Sequence, residues 1–565
     1  MYPLLTLSFL ALSVVAASMD SRAAGPAVTI ANGTVVSSTT GTVDSFRGIP
    51  YAQPPIDNLR LRPAQSIKTS FGTINDNPLP RACPQFLASI KSGSLSGVAI
   101  SLLSDAPTAQ PVTDAGEDCL TINVQRPSGT KANAKLAVVF WIYGGGFEFG
   151  TTQTYDGTTF VTKSIQLSAP VIYVAVNYRL GGFGFLAGSN LAKEGSTNLG
   201  LRDQRLGLQW VQENIAAFGG DPDKVTIWGE SAGSISVLDH TIINGGDNTY
   251  RGRPLFRAAI MNSGSVFPTN NVTTPKAEVI YNNVVKDAGC SSSADKLSCL
   301  RQLDYTTFLN AVNSAPVMFG YRGIDLSYLP RPDAGDNFFS RSPELSIGSG
   351  AFTKVPIIIG DQQDEGTLFG LAQNNITTNA QLIEYVASYF PTDPNSVADI
   401  TGLVANYPDQ PLRGQPAGSP FDTGSLNNIY PQYKRLAAIL GDISFTLARR
   451  NYLNTVASQV PAWSYLSTYF AGTPVLGTFH TTDMLVDYTL PGIPQQSVLT
   501  YYVSFVNTLD PNTLTTCAPL ITWPKWTASA PQLIDFAALG NSIIPDTFRQ
   551  AASDYLATKG SVLRI

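Results

Sequence analysis

Val225-Thr226-Ile227-Trp228-Gly229-Glu230-Ser231-Ala232-Gly233 is the stretch that decides the reading of this chain. An apolar, β-branched run leads into G-x-S-x-G, and Ser234 to Ile242 continue with helical character. A strand, a tight turn and a helix in that order leave a serine hydroxyl exposed at the tip of the turn. The glycines lack Cβ atoms, so the backbone can bend sharply there. The positive end of the helix dipole lies beside the serine. The motif alone arises by chance in a glycine-rich chain; the strand before it makes Ser231 a candidate nucleophile.

Similar alternation runs along the rest of the chain. Leu136 to Tyr143 and Val171 to Asn177 are continuous apolar runs, as expected of strands buried on both faces. Ala258 to Met261, Val355 to Gly360 and part of Pro461 to Tyr469 also read as strands. Leu199 to Phe218 has helical spacing, and Asn428 to Ser458 reads as mostly helical. Strands alternating with helices predict an α/β fold with a large, mostly parallel sheet flanked by helices. There is no internal repeat and no low-complexity tract.

A nucleophilic serine needs a general base, and the chain has 2 histidines, His240 and His480. His240 lies nine residues after Ser231 on the same predicted helix. At ~1.5 Å rise per residue their backbones are about 13 Å apart, beyond the reach of one hydrogen bond. His240 therefore reads as a packing or surface residue. His480 remains, in the loop Gly477-Thr478-Phe479-His480-Thr481-Thr482-Asp483. An acid that orients the base should lie between the two, after a strand. Asp361, Asp364 and Glu365 compete for that role, and the losers are expected to be solvated or bonded to backbone amides.

Acyl transfer also needs donors for a developing oxyanion, each worth roughly 3–4 kcal/mol. Ala232, directly after the serine, offers one amide. The loop Tyr143-Gly144-Gly145-Gly146-Phe147, directly after the Leu136 strand, offers others. Beside Ser231 it reads as part of a site rather than an ordinary glycine turn.

The 565 residues are 43% hydrophobic and 14% charged, which supports a large core. Length alone suggests about three or four domains. A net charge of -5 without any basic run argues against nucleic acid. Leu4 to Ala17 is apolar and ends in small residues, so 1–18 is expected to be a secretory signal. No other segment reaches membrane-spanning length, so a secreted, extracellular protein without a transmembrane anchor is expected. The triplets beginning at Asn32, Asn271 and Asn375 are potential glycosylation sites that agree with secretion. The 5 cysteines fit an oxidising compartment. Cys290 and Cys299 can close a small loop and Cys83 and Cys119 a longer one, leaving Cys517 free and buried; the sequence does not fix this pairing.

Together these residues resemble the type-B carboxylesterase family of cholinesterases, carboxylesterases and secreted fungal lipases. Phe218-Gly219-Gly220-Asp221-Pro222 through Gly233 is similar to its serine signature. Glu117 through Val124 is similar to its second signature, and Phe46-Arg47-Gly48-Ile49-Pro50-Tyr51-Ala52 to its N-terminal block. The resemblance runs from about residue 27 to the C-terminal region. It implies one α/β-hydrolase domain over 19–565, against the length argument. It selects Glu365 as the acid, His480 as the base, and Gly145, Gly146 and Ala232 as oxyanion donors. It also implies disulfides Cys83–Cys119 and Cys290–Cys299, and matches Glu230 to a buried carboxylate without a chemical step. Three stretches bring it nearer the secreted fungal triacylglycerol lipases and sterol esterases: Ser327 to Asp333, Phe445 to Arg450, and Gly477 to His480.

Within 83–119, the part from Pro84 to Ser104 is strongly apolar and carries one charge, Lys91. Such a patch either packs permanently on the body or forms a lid that opens toward lipid, and the resemblance favours the lid. It contains no tryptophan, which disfavours a quaternary ammonium substrate. The expected activity is that of a secreted serine hydrolase cleaving long-chain acyl esters at a lipid–water interface, with no metal or organic cofactor required. A carboxylesterase for soluble or aromatic esters is the alternative. A non-catalytic adhesion relative is a third reading, opposed by the intact Ser231, Glu365 and His480.

Overall fold

The continuous apolar runs become the middle of one large sheet. A computed structural model describes residues 24–86, 101, 104, 110–410, 424, 426–514 and 520–565. The leader expected at 1–18, most of the expected lid (87–100, 102–103 and 105–109) and Cys517 lie outside the described residues. In chain order the first strands are β1 (Ala24–Ile30), β2 (Gly33–Thr40), β3 (Val43–Pro50), β4 (Thr73–Asn75) and β5 (Thr121–Pro127). Then come β6 (Leu136–Ile142), β7 (Val171–Val176) and β8 (Gly220–Glu230). A separate ribbon, β9 (Thr249–Tyr250) with β10 (Arg253–Pro254), precedes β11 (Ala258–Asn262). The last are β12 (Ile357–Gln362), β13 (Ala462–Ser467), β14 (Gln532–Ala537) and β15 (Gly540–Pro545).

The main sheet runs β1-β2-β3-β5-β7-β6-β8-β11-β12-β13-β14-β15, with β4 beside β2. From β7 through β14 every neighbour is parallel. The strands outside this block pair antiparallel on the main path. The central strands are those expected from their unbroken apolar runs. β7, for example, is buried at every position. Each buried Val or Ile there contributes about 1.5–3 kcal/mol. The antiparallel margin carries no strand signal of its own in the sequence, although Phe46 to Ala52 and Glu117 to Val124 overlap β3 and β5. β2, Gly-Thr-Val-Val-Ser-Ser-Thr-Thr, shows why: few of its residues are apolar, and it is fixed by its neighbours more than by its own pattern.

Two pairs of helices cover the block. α1 (Thr158–Gln166) packs with α6 (Ile493–Thr508), and α6 lies against β6, β7, β8 and β14. α2 (Leu199–Asn214) and α3 (Ala232–Ile242) pack on each other and on β8. Every residue of α3 is buried, as an apolar helix at the centre of a large protein must be. It begins at Ala232, two residues before the expected start. The Leu199–Phe218 helix ends at Asn214 and tightens into a 3-10 turn, Ile215–Phe218. The Asn428–Ser458 region contains α4 (Tyr433–Gly441), a π-helical turn (Asp442–Thr446) and α5 (Leu447–Val456). One contiguous apolar core joins both layers to the sheet.

Candidate active site

β8 delivers Ser231 at the carboxyl end of the parallel block, and α3 leaves directly behind it. Ser231 takes φ 56° and ψ -123°, a sparsely populated conformation costing about 1–3 kcal/mol. Its amide is held by the Asn262 carbonyl at 2.9 Å. Gly233 is required here by space: a Cβ on it would lie 2.0 Å from the Ile142 carbonyl oxygen. The strained turn is therefore locked between β6 and β11.

His480 approaches from a loop after β13. Its Nε2 lies 2.8 Å from Ser231 Oγ, and its Nδ1 lies 2.5 Å from Glu365 Oε2. Glu365 Oε1 accepts the Gln362 amide at 2.7 Å, which fixes the carboxylate. The three competing carboxylates have separate places. Asp361 is ion-paired with Arg449 at 2.7 Å, and both are buried, so it is neither solvated nor bonded to an amide as expected. Asp364 accepts the Thr478 amide at 2.7 Å and so holds the histidine loop. Only Glu365 reaches the imidazole. Phe369 and Phe445 flank that ring, with centroids 5.3 Å and 4.6 Å away. The π-helical turn carries Phe445 to this position. Such turns recur at functional sites, but no residue pattern announced this one.

His240 is the packing residue expected. It is fully buried, its Nε2 meets Gln204 Oε1 at 3.0 Å, and burial holds its pKa well below the ordinary value, with Arg205 adding to the effect.

Ile142 pairs with Gly229, so the segments following β6 and β8 leave the sheet side by side. The glycine loop thereby meets the serine turn. Gly145 and Gly146 take φ 98° and 62°. Among the described residues their amides donate to no protein acceptor, while the Gly145 carbonyl accepts the Glu148 and Phe149 amides. Ala232 is buried at the start of α3, and the two segments meet at Gly144, where a Cβ would lie 2.8 Å from Ser231 Cβ. A cavity of about 320 Å³ opens elsewhere, beside Phe267, Tyr452 and Leu556; no triad or glycine-loop residue lines it.

The chain matches the model of the carboxylesterase family over residues 25–543. It belongs to that family. Secreted lipase 1 of Botryotinia fuckeliana is 52% identical over 95% of this chain and 94% of its own. A secreted triacylglycerol lipase of Gibberella zeae is 49% identical, covering 97% of this chain and 92% of its own. The crystal structure of Aspergillus niger EstA superposes with a TM-score of 0.74 at 27% identity, over 96% of this chain and 99% of that one. The fold is that of an α/β-hydrolase, and the chain is a carboxylic ester hydrolase.

As in the family resemblance, Glu230 is buried beside the triad. Its Oε1 lies 3.6 Å from His480 Nε2, and burial raises its pKa well above the carboxylate range, reinforced by Asp483 and Glu365. Asp483, three residues after the base, is buried in the same loop. Burial pushes it up to about 7, Glu365 adds to the rise, and His480 opposes it. Burial thus shifts two carboxyls near the imidazole toward their uncharged forms, and Glu365 is the one bonded to it. Sequence position could not find this, because Asp483 and Glu230 meet only through the fold.

Cys83 bonds to Cys119 and Cys290 to Cys299, as the resemblance implied. The first closes the foot of the 83–119 segment. Asn375 is exposed, while Asn32 and Asn271 are half-buried. Among the described residues no helix is long and apolar enough to cross a membrane.

Proposed function

We propose that the protein is a secreted lipase that cleaves long-chain acyl esters, triacylglycerols among them, through an acyl-enzyme. One observation carries this reading: Ser231 Oγ, both nitrogens of His480 and Glu365 form an unbroken hydrogen-bonded line. Ser231 attacks the ester carbonyl while His480 Nε2 takes its proton. Glu365 orients the ring through Nδ1 and stabilises the imidazolium. The amides of Gly145, Gly146 and Ala232 receive the oxyanion. The imidazolium then protonates the departing alcohol. A water activated by His480 hydrolyses the acyl-enzyme, releases the acid and restores Ser231.

The lipid preference draws support from the names of the two fungal relatives and from the apolar rings beside the base. Phe319 stacks on Phe369, and Phe369 lies between Phe319 and Phe445 around His480. Residues 19–565 form a single catalytic domain once the leader 1–18 is removed. The 83–119 segment serves as its lid, anchored by its disulfide and by buried Phe86. Glycans on Asn32, Asn271 and Asn375 accord with secretion. Sterol esters are a further substrate class to test.

Ser231→Ala should lower hydrolysis of an emulsified long-chain triacylglycerol by about 10⁴-fold or more. Activity close to wild type in that variant sinks the mechanism. A series of acyl lengths, each assayed below and above its solubility, should show a gain for long chains above it. Absence of that gain favours a carboxylesterase for soluble esters.

A further inference from the structure

Glu148 lies two residues beyond Gly146 and is fully buried. Its amide and that of Phe149 return to the Gly145 carbonyl at 3.0 Å and 3.1 Å, which curls the glycine loop. Its carbonyl accepts the amide of Phe86 at 2.8 Å, at the root of the 83–119 segment. Its carboxyl Oε2 accepts the Met318 amide at 2.9 Å, and Oε1 has no hydrogen-bond partner. Met318 in turn presses on Gly146, where a Cβ would lie 2.4 Å from the Met318 sulfur. The next residue, Phe319, lies 6.3 Å from the Phe149 ring and stacks on Phe369, which flanks His480.

The geometry points to Glu148 as a positioning residue of the oxyanion site: its carboxyl fastens the Met318 turn onto Gly146 and so holds the amides of Gly145 and Gly146 in register with Ser231. This rests on the assignment of those amides as oxyanion donors. Glycines at positive φ have little preference of their own, so neighbours must impose the loop's shape. A donor displaced by a fraction of an ångström loses much of its value to the transition state.

The clamp is sensitive to the charge on its carboxyl. Burial raises Glu148 to about 8, and the Met318 amide bond opposes the rise. Among the described residues no cation faces it, and the titratable neighbour is the buried Tyr328 phenol. Below about pH 8 the group is neutral; above it, a buried anion without a counter-ion would draw in water and loosen the Met318 turn.

The test compares wild type, Glu148→Gln, Glu148→Ala and Gly146→Ala on a soluble short-chain ester, with thermal unfolding of each. Glu148→Ala should lose about 10- to 100-fold in kcat with little change in KM. Glu148→Gln keeps the acceptor for Met318 without a charge and should restore most of kcat. Wild-type kcat should also fall above about pH 8, and the Gln variant should hold its rate there. A structural role alone would move the unfolding temperature but not this alkaline limb. Full kcat in folded Glu148→Ala, or an unchanged alkaline fall in Glu148→Gln, overturns the proposal. If Glu148→Ala does not fold, the wild-type and Gln pH profiles decide. If Gly146→Ala also keeps full kcat, the oxyanion assignment itself fails; if it alone loses activity, only the clamp does.

Discussion

Ser231 sits in a turn made by its own neighbours, whereas His480 sits in a loop tied to residues 114 and 115 positions away. The serine turn needs β8, two glycines and one carbonyl from β11. The histidine loop is stitched in from several sides. Asp364 and Thr478 exchange bonds at 2.7 Å and 2.9 Å, Thr367 Oγ1 donates to the Leu476 carbonyl, and the Tyr433 hydroxyl donates to that of Val475. The nucleophile is thus encoded by contiguous residues and the base by tertiary contacts. Damage to the turn should therefore be abrupt, and damage to the loop graded.

Gly233→Ala is the strongest break. Its methyl would occupy the space of the Ile142 carbonyl, so β6, β8 and α3 cannot keep their spacing. Because the nucleophile itself is displaced, a loss of more than about 10⁴-fold in kcat is expected. Destabilisation of about 3 kcal/mol should appear in urea unfolding. Retained activity would show that the turn tolerates more than its crowding allows. Glu365→Gln comes next. Loss of the carboxylate favours the wrong tautomer of His480 and leaves the imidazolium unsupported, so kcat should fall by about 10⁴-fold. Unfolding should change little, because the Gln362 amide keeps an acceptor.

Asp364→Ala tests whether the loop is graded. It removes the acceptor for Thr478 and should lower kcat by about 10- to 100-fold while Ser231 stays in place. Labelling of Ser231 by an organophosphonate should slow in parallel, since that reaction also needs the base. Equal loss in Asp364→Ala and Gly233→Ala would erase the contrast.

The same contrast explains what was legible beforehand. The parallel block and the elbow were readable because their signals are local: unbroken apolar runs and a motif after a strand. His480 was found by elimination, which worked because the chain has only 2 histidines. Among Asp361, Asp364 and Glu365, position alone could not choose, since ion pairing with Arg449 and bonding to Thr478 are made by distant segments. The family resemblance chose Glu365, and the geometry supplies the reason. Phe445, Asp483 and Glu148 escaped for the same cause. Each stands in or beside a stretch that the sequence singles out, but its partners come from distant segments and are acquired only when the chain closes.

His240 gives the smallest and most discriminating effect on activity. It shares α3 with the nucleophile's turn, so proximity in sequence would make it a rival base. Its ring instead bonds Gln204, and burial keeps it uncharged. His240→Ala should leave kcat within about 2-fold of wild type, since no proton passes through it. It should nevertheless cost about 1–3 kcal/mol in urea unfolding, because Gln204 Oε1 loses its partner inside the core. A large fall in kcat without loss of stability would mean that distance along the helix is the wrong criterion for choosing the base. The expected opposite result separates a histidine that packs from one that reacts, although both are buried and both are hydrogen-bonded.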